Sequence, residues 1–211
     1  MCLQVHPDGE VEVLVPPRTR QSDIDAFIAD KANWIVRAQQ KQKDRAHCEV
    51  RFESGARFWC LGEWLTLVIE QASSRSYVVV RDGRLVVLGR HGNDPEKVRR
   101  ALVKWYKEQA KAVIVERVEY WADKIGVRPN RIRIKSQKTK WGSCSILGNL
   151  NYNWKLIMMP MAVLDYVVVH ELCHLVHMNH SDAFWALVKH YMPDYKLQRR
   201  WLKDEAPIVD I

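Results

Sequence analysis

The chain has 211 residues, with 33 Lys and Arg against 25 Asp and Glu, a formal net charge of +8. That length can bury a core without disulfide staples, and a composition 47% hydrophobic and 27% charged excludes a globally disordered chain. No apolar run approaches the ~18–20 residues a membrane span needs, so no membrane partner is expected, and the basic balance admits nucleic acid or another acidic partner without selecting one.

Residues 1–8 lack a basic segment followed by an apolar one, so no secretory signal is read there. The five cysteines (Cys2, Cys48, Cys60, Cys144 and Cys173) form no CxxC pair. They read as reduced thiols of a cytoplasmic protein.

In chain order, residues 3–15 read as a hairpin, with Val11, Val13 and Val15 alternating and Pro7-Asp8-Gly9 as the turn. Ser22 reads as an N-cap with Asp25 at N3. Ile24, Phe27, Ile28, Trp34 and Ile35 then follow at helical spacing, giving a helix over 22–43. From Val50 to Leu88 the period is two. Phe52, residues 58–60, 64–69, 77–80 and 85–88 read as strands, and Asp82-Gly83 is a hairpin signal. Residues 1–92 therefore read as a β-rich N-terminal part with one inserted helix.

A second part, 93–211, opens on Asp94 as N-cap with Pro95 at N1, and a long helix is expected to run to Gly126 at C′. Val98, Ala101, Leu102, Trp105, Ala112 and Val113 begin its apolar stripe, which drifts to Val115, Val118, Ala122 and Ile125. A strand with alternating Ile132 and Ile134 comes next, then a loop at 141–144, a strand over 149–158, and a helix opened by Pro160. Another helix, capped by Ser181 and closed by Met192-Pro193, follows. The fold class read from this order is α+β.

Residues 170–174 read His-Glu-Leu-Cys-His. On a helix, positions i and i+4 share a face roughly 5–6 Å apart, so His170 and His174 can point at one ion. Glu171 lies about 100° further round. It is close to the ion but badly set to ligate it, which suits a base acting on water. Leu164, Val168, Leu172 and Leu175 give the helix a face to bury. A catalytic zinc takes three protein ligands. His180, six residues after His174, stands at the third-ligand offset of metzincins. His177 occupies the glycine position of that pattern, so His177 or Asn179 is expected to take a left-handed conformation. Rival third ligands are His177 and the downstream acids Asp194, Asp204 and Glu205.

Trp141-Gly142-Ser143-Cys144, the run from Asp165 to His174, and Asn179-His180-Ser181 with Phe184-Trp185 together resemble the YgjP-like family of metal-dependent hydrolases, related to SprT-like zinc metallopeptidases. The front hairpin, Phe27 with Trp34-Ile35, and Leu61-Gly62 are also similar to that family. The resemblance covers nearly the whole chain. It implies a zincin-like catalytic domain with one Zn2+ on His170, His174 and His180, and Glu171 as the catalytic carboxylate. Cys173 departs from the small residue such sequences often carry, and reads as a packed, inert thiol.

The expected activity is zinc-dependent peptide-bond hydrolysis with Glu171 as general base. His177, Tyr191 and Tyr195 are candidates for a second oxyanion donor. Asn151, Tyr152, Asn153 and Trp141 are expected to border the cleft and meet an extended polypeptide substrate by strand addition. Arg128, Arg131, Arg133, Lys135, Lys138 and Lys140 form a run without acids. An alternative function is therefore a nucleic-acid-associated protein or DNA-linked protease. A further alternative is hydrolysis of a non-peptide amide.

Overall fold

A computed structural model describes all residues except Pro7, 47–50, 73–75, 91–93, Lys138 and 207–211, together with the backbone but not the side chains of 41–46. The described chain divides into two compact units, Met1–Val50 and Arg51–Ile211. The expected boundary at 92/93 falls on residues outside the described set.

In the first unit, β1 (Cys2–Val5) and β2 (Val11–Leu14) pair antiparallel. The expected hairpin forms, although Pro7 of its turn is not described. The helix α1 spans Gln21–Ala46. Ser22 is inside its first turn and not its cap, because the amides of Asp23 and Ile24 already bond to Arg20 O. Gln39 donates to Gly9 O at 2.9 Å, tying α1 to the hairpin.

The second unit opens on a four-stranded sheet of β3 (Arg57–Cys60), β4 (Glu63–Gln71), β5 (Tyr77–Arg81) and β6 (Arg84–Gly89), in the order β3-β4-β6-β5. Phe52 precedes it in irregular chain. The Asp82-Gly83 turn has positive φ at both residues, 48° and 70°, the geometry that matches the twist of the flanking strands. β4 pairs with β6 in parallel, so the β5–β6 hairpin adds to the β3–β4 hairpin without continuing its meander. Phe58, Leu67, Leu85 and Val87 are buried.

Across Pro95–Ile125 runs α2, 31 residues long. The side chain of Asp94 accepts from the amides of Glu96 and Lys97, Pro95 needs no partner for a missing N–H, and Gly126 closes the helix at φ 78°. Its buried stripe is Val98, Leu102, Trp105, Tyr106, Ala110, Ile114, Val118 and Ala122. Ala112, expected in that stripe, is exposed. Tyr106 donates to Trp59 O at 2.8 Å, joining α2 to the sheet.

A three-stranded sheet follows, of β7 (Arg131–Lys135), β8 (Gly142–Cys144) and β9 (Asn149–Asn153), ordered β7-β9-β8. The segment expected as a loop at 141–144 is thus partly the edge strand β8. The strand expected over 149–158 stops at Asn153. There the side-chain oxygen accepts from the amide of Lys155 and turns the chain into a 3-10 helix, Trp154–Met158. Then come α3 (Met161–Cys173), α4 (Asp182–Tyr191) and α5 (Tyr195–Asp204). α3 is buried almost all round, and not along one face only, as befits a central helix. Arg117 of α2 grips Asp165 of α3 with two bonds of 2.6 and 2.7 Å, pairing a carboxylate that is 8% exposed.

Candidate active site

The site is assembled where α3 ends. Beyond Cys173 the chain leaves the helix in a tight turn. Leu175 N bonds to Leu172 O, and the amides of Val176 and His177 both bond to Cys173 O. No left-handed residue is needed. Neither His177 nor Asn179 has positive φ, because these right-handed bonds alone reverse the chain. The turn brings His180 back over the helix, with its Nε2 at 3.1 Å from Nε2 of His170. Ser181 then caps α4 by accepting from Phe184 N, so the residue after His180 is anchored at once.

His170, His174 and His180 each offer a ligand atom, and these atoms all lie within 4.8 Å of one another. The local chemistry suits a cation. Nδ1 of His174 is 3.1 Å from His177 O. A carbonyl can only accept, so Nδ1 carries the proton and Nε2 keeps its lone pair. Burial, aided by the neighbouring histidines, pulls the pKa of His170 down to about 3. Burial also lowers that of His174, against the bond to His177. Neutral imidazoles are the form a metal binds. The residues present therefore fit an ion held by three nitrogens.

Aromatic rings wall the cluster. Phe184 stacks on His174 at 4.5 Å and Trp185 stacks on His180 at 5.6 Å. Tyr195 backs Trp185 at 5.4 Å, and the Arg199 guanidinium lies 4.8 Å from the Trp185 ring. His180 is exposed, so this stacking is what limits its freedom.

Glu171 is 5% exposed. Burial pushes its carboxyl up to about 8, against the pull of Lys140. A carboxyl balanced near neutrality can accept and return a proton. Its position is set by Gly142 at the start of β8. A Cβ there would stand 2.5 Å from Oε1 and 2.7 Å from Cγ of Glu171. The carboxylate thus rests against bare backbone.

The other expected residues are placed as follows. Asn151, Tyr152 and Asn153 lie on β9, whose two edges are already bonded to β7 and β8. No substrate strand can add there, and among the described residues β8 is the edge strand beside Glu171. Tyr152 is fully buried and bonds to Val168 O at 3.5 Å. Asn151 bonds to Ser143 Oγ. Asn153 donates to Gln137 O and Lys140 O, holding the β7–β8 connection. Trp141 is half-buried beside that connection. Of the oxyanion candidates, Tyr195 reaches the histidine cluster through Trp185, Tyr191 meets the ring of His190, and His177 contributes its carbonyl.

The basic run is spread over several elements. Arg128 lies 4.0 Å from Asp123. Arg131, Arg133 and Lys135 are exposed on alternate positions of β7, Lys138 is outside the described residues, and Lys140 is exposed near Glu171. Sequence reading missed Gly142 as the seat of Glu171, although its place in the quoted Trp141-Gly142 motif was a signal. It also missed α5 and the Arg117–Asp165 pair. An acid on an otherwise apolar helix was the signal for Asp165.

The metallopeptidase domain model of the YgjP-like family matches residues 1–205. The chain belongs to the YgjP-like family. It is accordingly a metal-dependent hydrolase of metallopeptidase type, and His170, His174 and His180 can hold the metal. No curated protein matches the sequence. Among solved structures, the metallopeptidase zymogen of Pyrococcus abyssi abylysin is similar at 22% identity and a TM-score of 0.40. The match covers 44% of this chain and 94% of that one, and at that level it carries no argument about this YgjP-like chain. No helix among the described residues is long and apolar enough to cross a membrane.

Proposed function

We propose that this protein is a zinc metallopeptidase that hydrolyses peptide bonds, with zinc on His170, His174 and His180 and Glu171 as general base. The observation that carries the reading is the convergence of three imidazoles beside a buried carboxyl poised near neutral pH. Zinc is the metal of choice because three neutral nitrogens with one open position suit its tetrahedral preference. When bound, it would polarise the scissile carbonyl and make water acidic near neutral pH.

The chain's own residues do the rest. Glu171 takes the proton from the attacking water and returns it to the leaving amine. Gly142 holds that carboxylate in place. The Nδ1 bond of His174 to the His177 carbonyl orients the ring, and Trp185 steadies His180. The free edge of β8 offers main-chain donors and acceptors to an extended polypeptide passing Glu171. Tyr195, held by stacking close to the histidines, is the oxyanion candidate this arrangement favours.

The test is cleavage of an unfolded protein. Activity should vanish on chelation, return with stoichiometric zinc, and be absent from His180→Ala, whose zinc affinity should fall by more than the ~10–100-fold that loss of an outer partner costs. Full zinc affinity in His180→Ala would move the third ligand elsewhere.

A further inference from the structure

A groove of about 1380 Å³ runs between α2 and the β7–β8 connection. Five cations of α2, among them Arg100, Lys107 and Lys111, face Lys135, Lys140 and Lys155 across it. Glu108 is the one acid among its lining residues. Arg100, Lys104, Lys107 and Lys111 stand at i, i+4, i+7 and i+11, so they share one helix face over about 16 Å. This cationic stripe meets the alternating run on β7 at Lys135 in the groove, and Lys111 also lines a smaller cavity with Arg133 and Lys135. The groove has a polar side as well, with Ser136, Gln137 and Thr139.

One end of the groove adjoins the candidate active site along the chain. Lys140 and Trp141 line it, and the next residue, Gly142, is the seat of Glu171. A polypeptide lying along the free edge of β8 and continuing past Gly142 enters the groove at its Lys140 end. We propose that the groove binds an acidic stretch of the polypeptide substrate next to the bond that is cut, an inference that rests on the peptidase reading above. The 16 Å stripe matches about five extended residues.

The alternative polyanion, a nucleic acid, fits less well. Single-strand binders stack bases on exposed aromatic faces. Two tryptophans line the groove: Trp141 is half-buried, while Trp154 is 3% exposed, donates its Nε1–H to Ser136, and has the ammonium groups of Lys107 and Lys155 at 6.0 and 5.9 Å from its ring. Trp154 thus forms part of the floor and offers no open face to a base, which leaves half-buried Trp141 as a single partial platform among the lining residues where a strand of several bases needs a series.

Binding is measured on the full-length, zinc-loaded Glu171→Gln protein, so that no peptide is consumed. The probes are a fluorescent Gly-Ser peptide carrying about five consecutive glutamates, the same peptide without them, and an oligothymidylate. The glutamate peptide should bind, the neutral one should not, and the affinity should fall as salt is raised. Adding Lys107→Glu and Lys111→Glu, on the exposed face of α2, should weaken glutamate-peptide binding at least about tenfold while zinc content stays at one per chain. Equal binding of neutral and acidic peptides, or no loss in the charge-reversed protein, would overturn the proposal. So would tighter binding of the oligothymidylate, which would assign the groove to nucleic acid. If the glutamate peptide binds as described but the wild-type protein cleaves no polypeptide, the peptidase reading has failed and the acidic-peptide groove has not.

Discussion

Replacing Gly142 by alanine probes the seat of the proposed base. The new Cβ would stand 2.5 Å from Oε1, 2.7 Å from Cγ and 2.8 Å from Cδ of Glu171, whereas ordinary contact begins at 3.4 Å. Relief requires a shift of about 0.9 Å between β8 and the Glu171 carboxylate. Glu171 is buried on a central helix, so the side chain must leave its position. A misplacement near 1 Å costs catalysis on the order of a hundredfold, and overpacking costs about 1–3 kcal/mol of stability. None of the three histidines is among the nearest neighbours of that Cβ, so zinc should be retained at one per chain. The assay is kcat for an unstructured protein substrate, with metal content measured on the same sample. Because the effect acts through Glu171, it should nearly vanish in a Glu171→Gln background. Wild-type kcat in Gly142→Ala, or the same further loss when Glu171 is already glutamine, would refute the reasoning.

Glu171 also gives the metal-free protein a signed pH dependence. Its carboxyl ionises near 4.5 when unconstrained and about 8 when folded. Between those values the folded state keeps a proton that the unfolded state has released, so stability falls as pH rises. Relative to Glu171→Gln, the loss should reach on the order of 4 kcal/mol by pH 8, and parallel pH profiles from denaturant melts would contradict it. Asp165→Ala should lower stability by about 2 kcal/mol and the melting temperature by about 4–8 °C, since it strands the Arg117 guanidinium in a largely buried pair. An unchanged melt would show that the pair contributes nothing net.

Local chemistry made the parts of this protein that the sequence declares readable. Asp94-Pro95 and Gly126 carry both ends of α2 in their own caps, Asp82-Gly83 carries its hairpin, and helical spacing alone puts His170 and His174 on one face. His180 was legible as a candidate ligand only through its offset and the family resemblance. The reversal that returns it depends on backbone bonds to Leu172 and Cys173 that no residue type announces. Long-range pairings were also hidden. Nothing in β4 or β6 indicates that they pair in parallel, or that β9 is the central strand and β8 the free edge. That order closes both edges of Asn149–Asn153 to an added strand and leaves β8, which begins at Gly142, as the proposed place for one. The early end of β9 came from one side chain, Asn153, capping the next turn. The cations of α2 were visible as charge. Their meeting with Lys135 and Lys140 was not, because it depends on how α2 lies against the three-stranded sheet.

In the proposed reaction Glu171, beside zinc on three histidines, carries the proton in peptide hydrolysis. The direct measurement compares the wild-type protein and Glu171→Gln, each loaded with zinc, on the same unfolded protein substrate. Equal zinc content with cleavage by the wild type and a loss of at least about a hundredfold in the variant is the predicted result. Equal cleavage by both, or no cleavage by the zinc-loaded wild type, would contradict it.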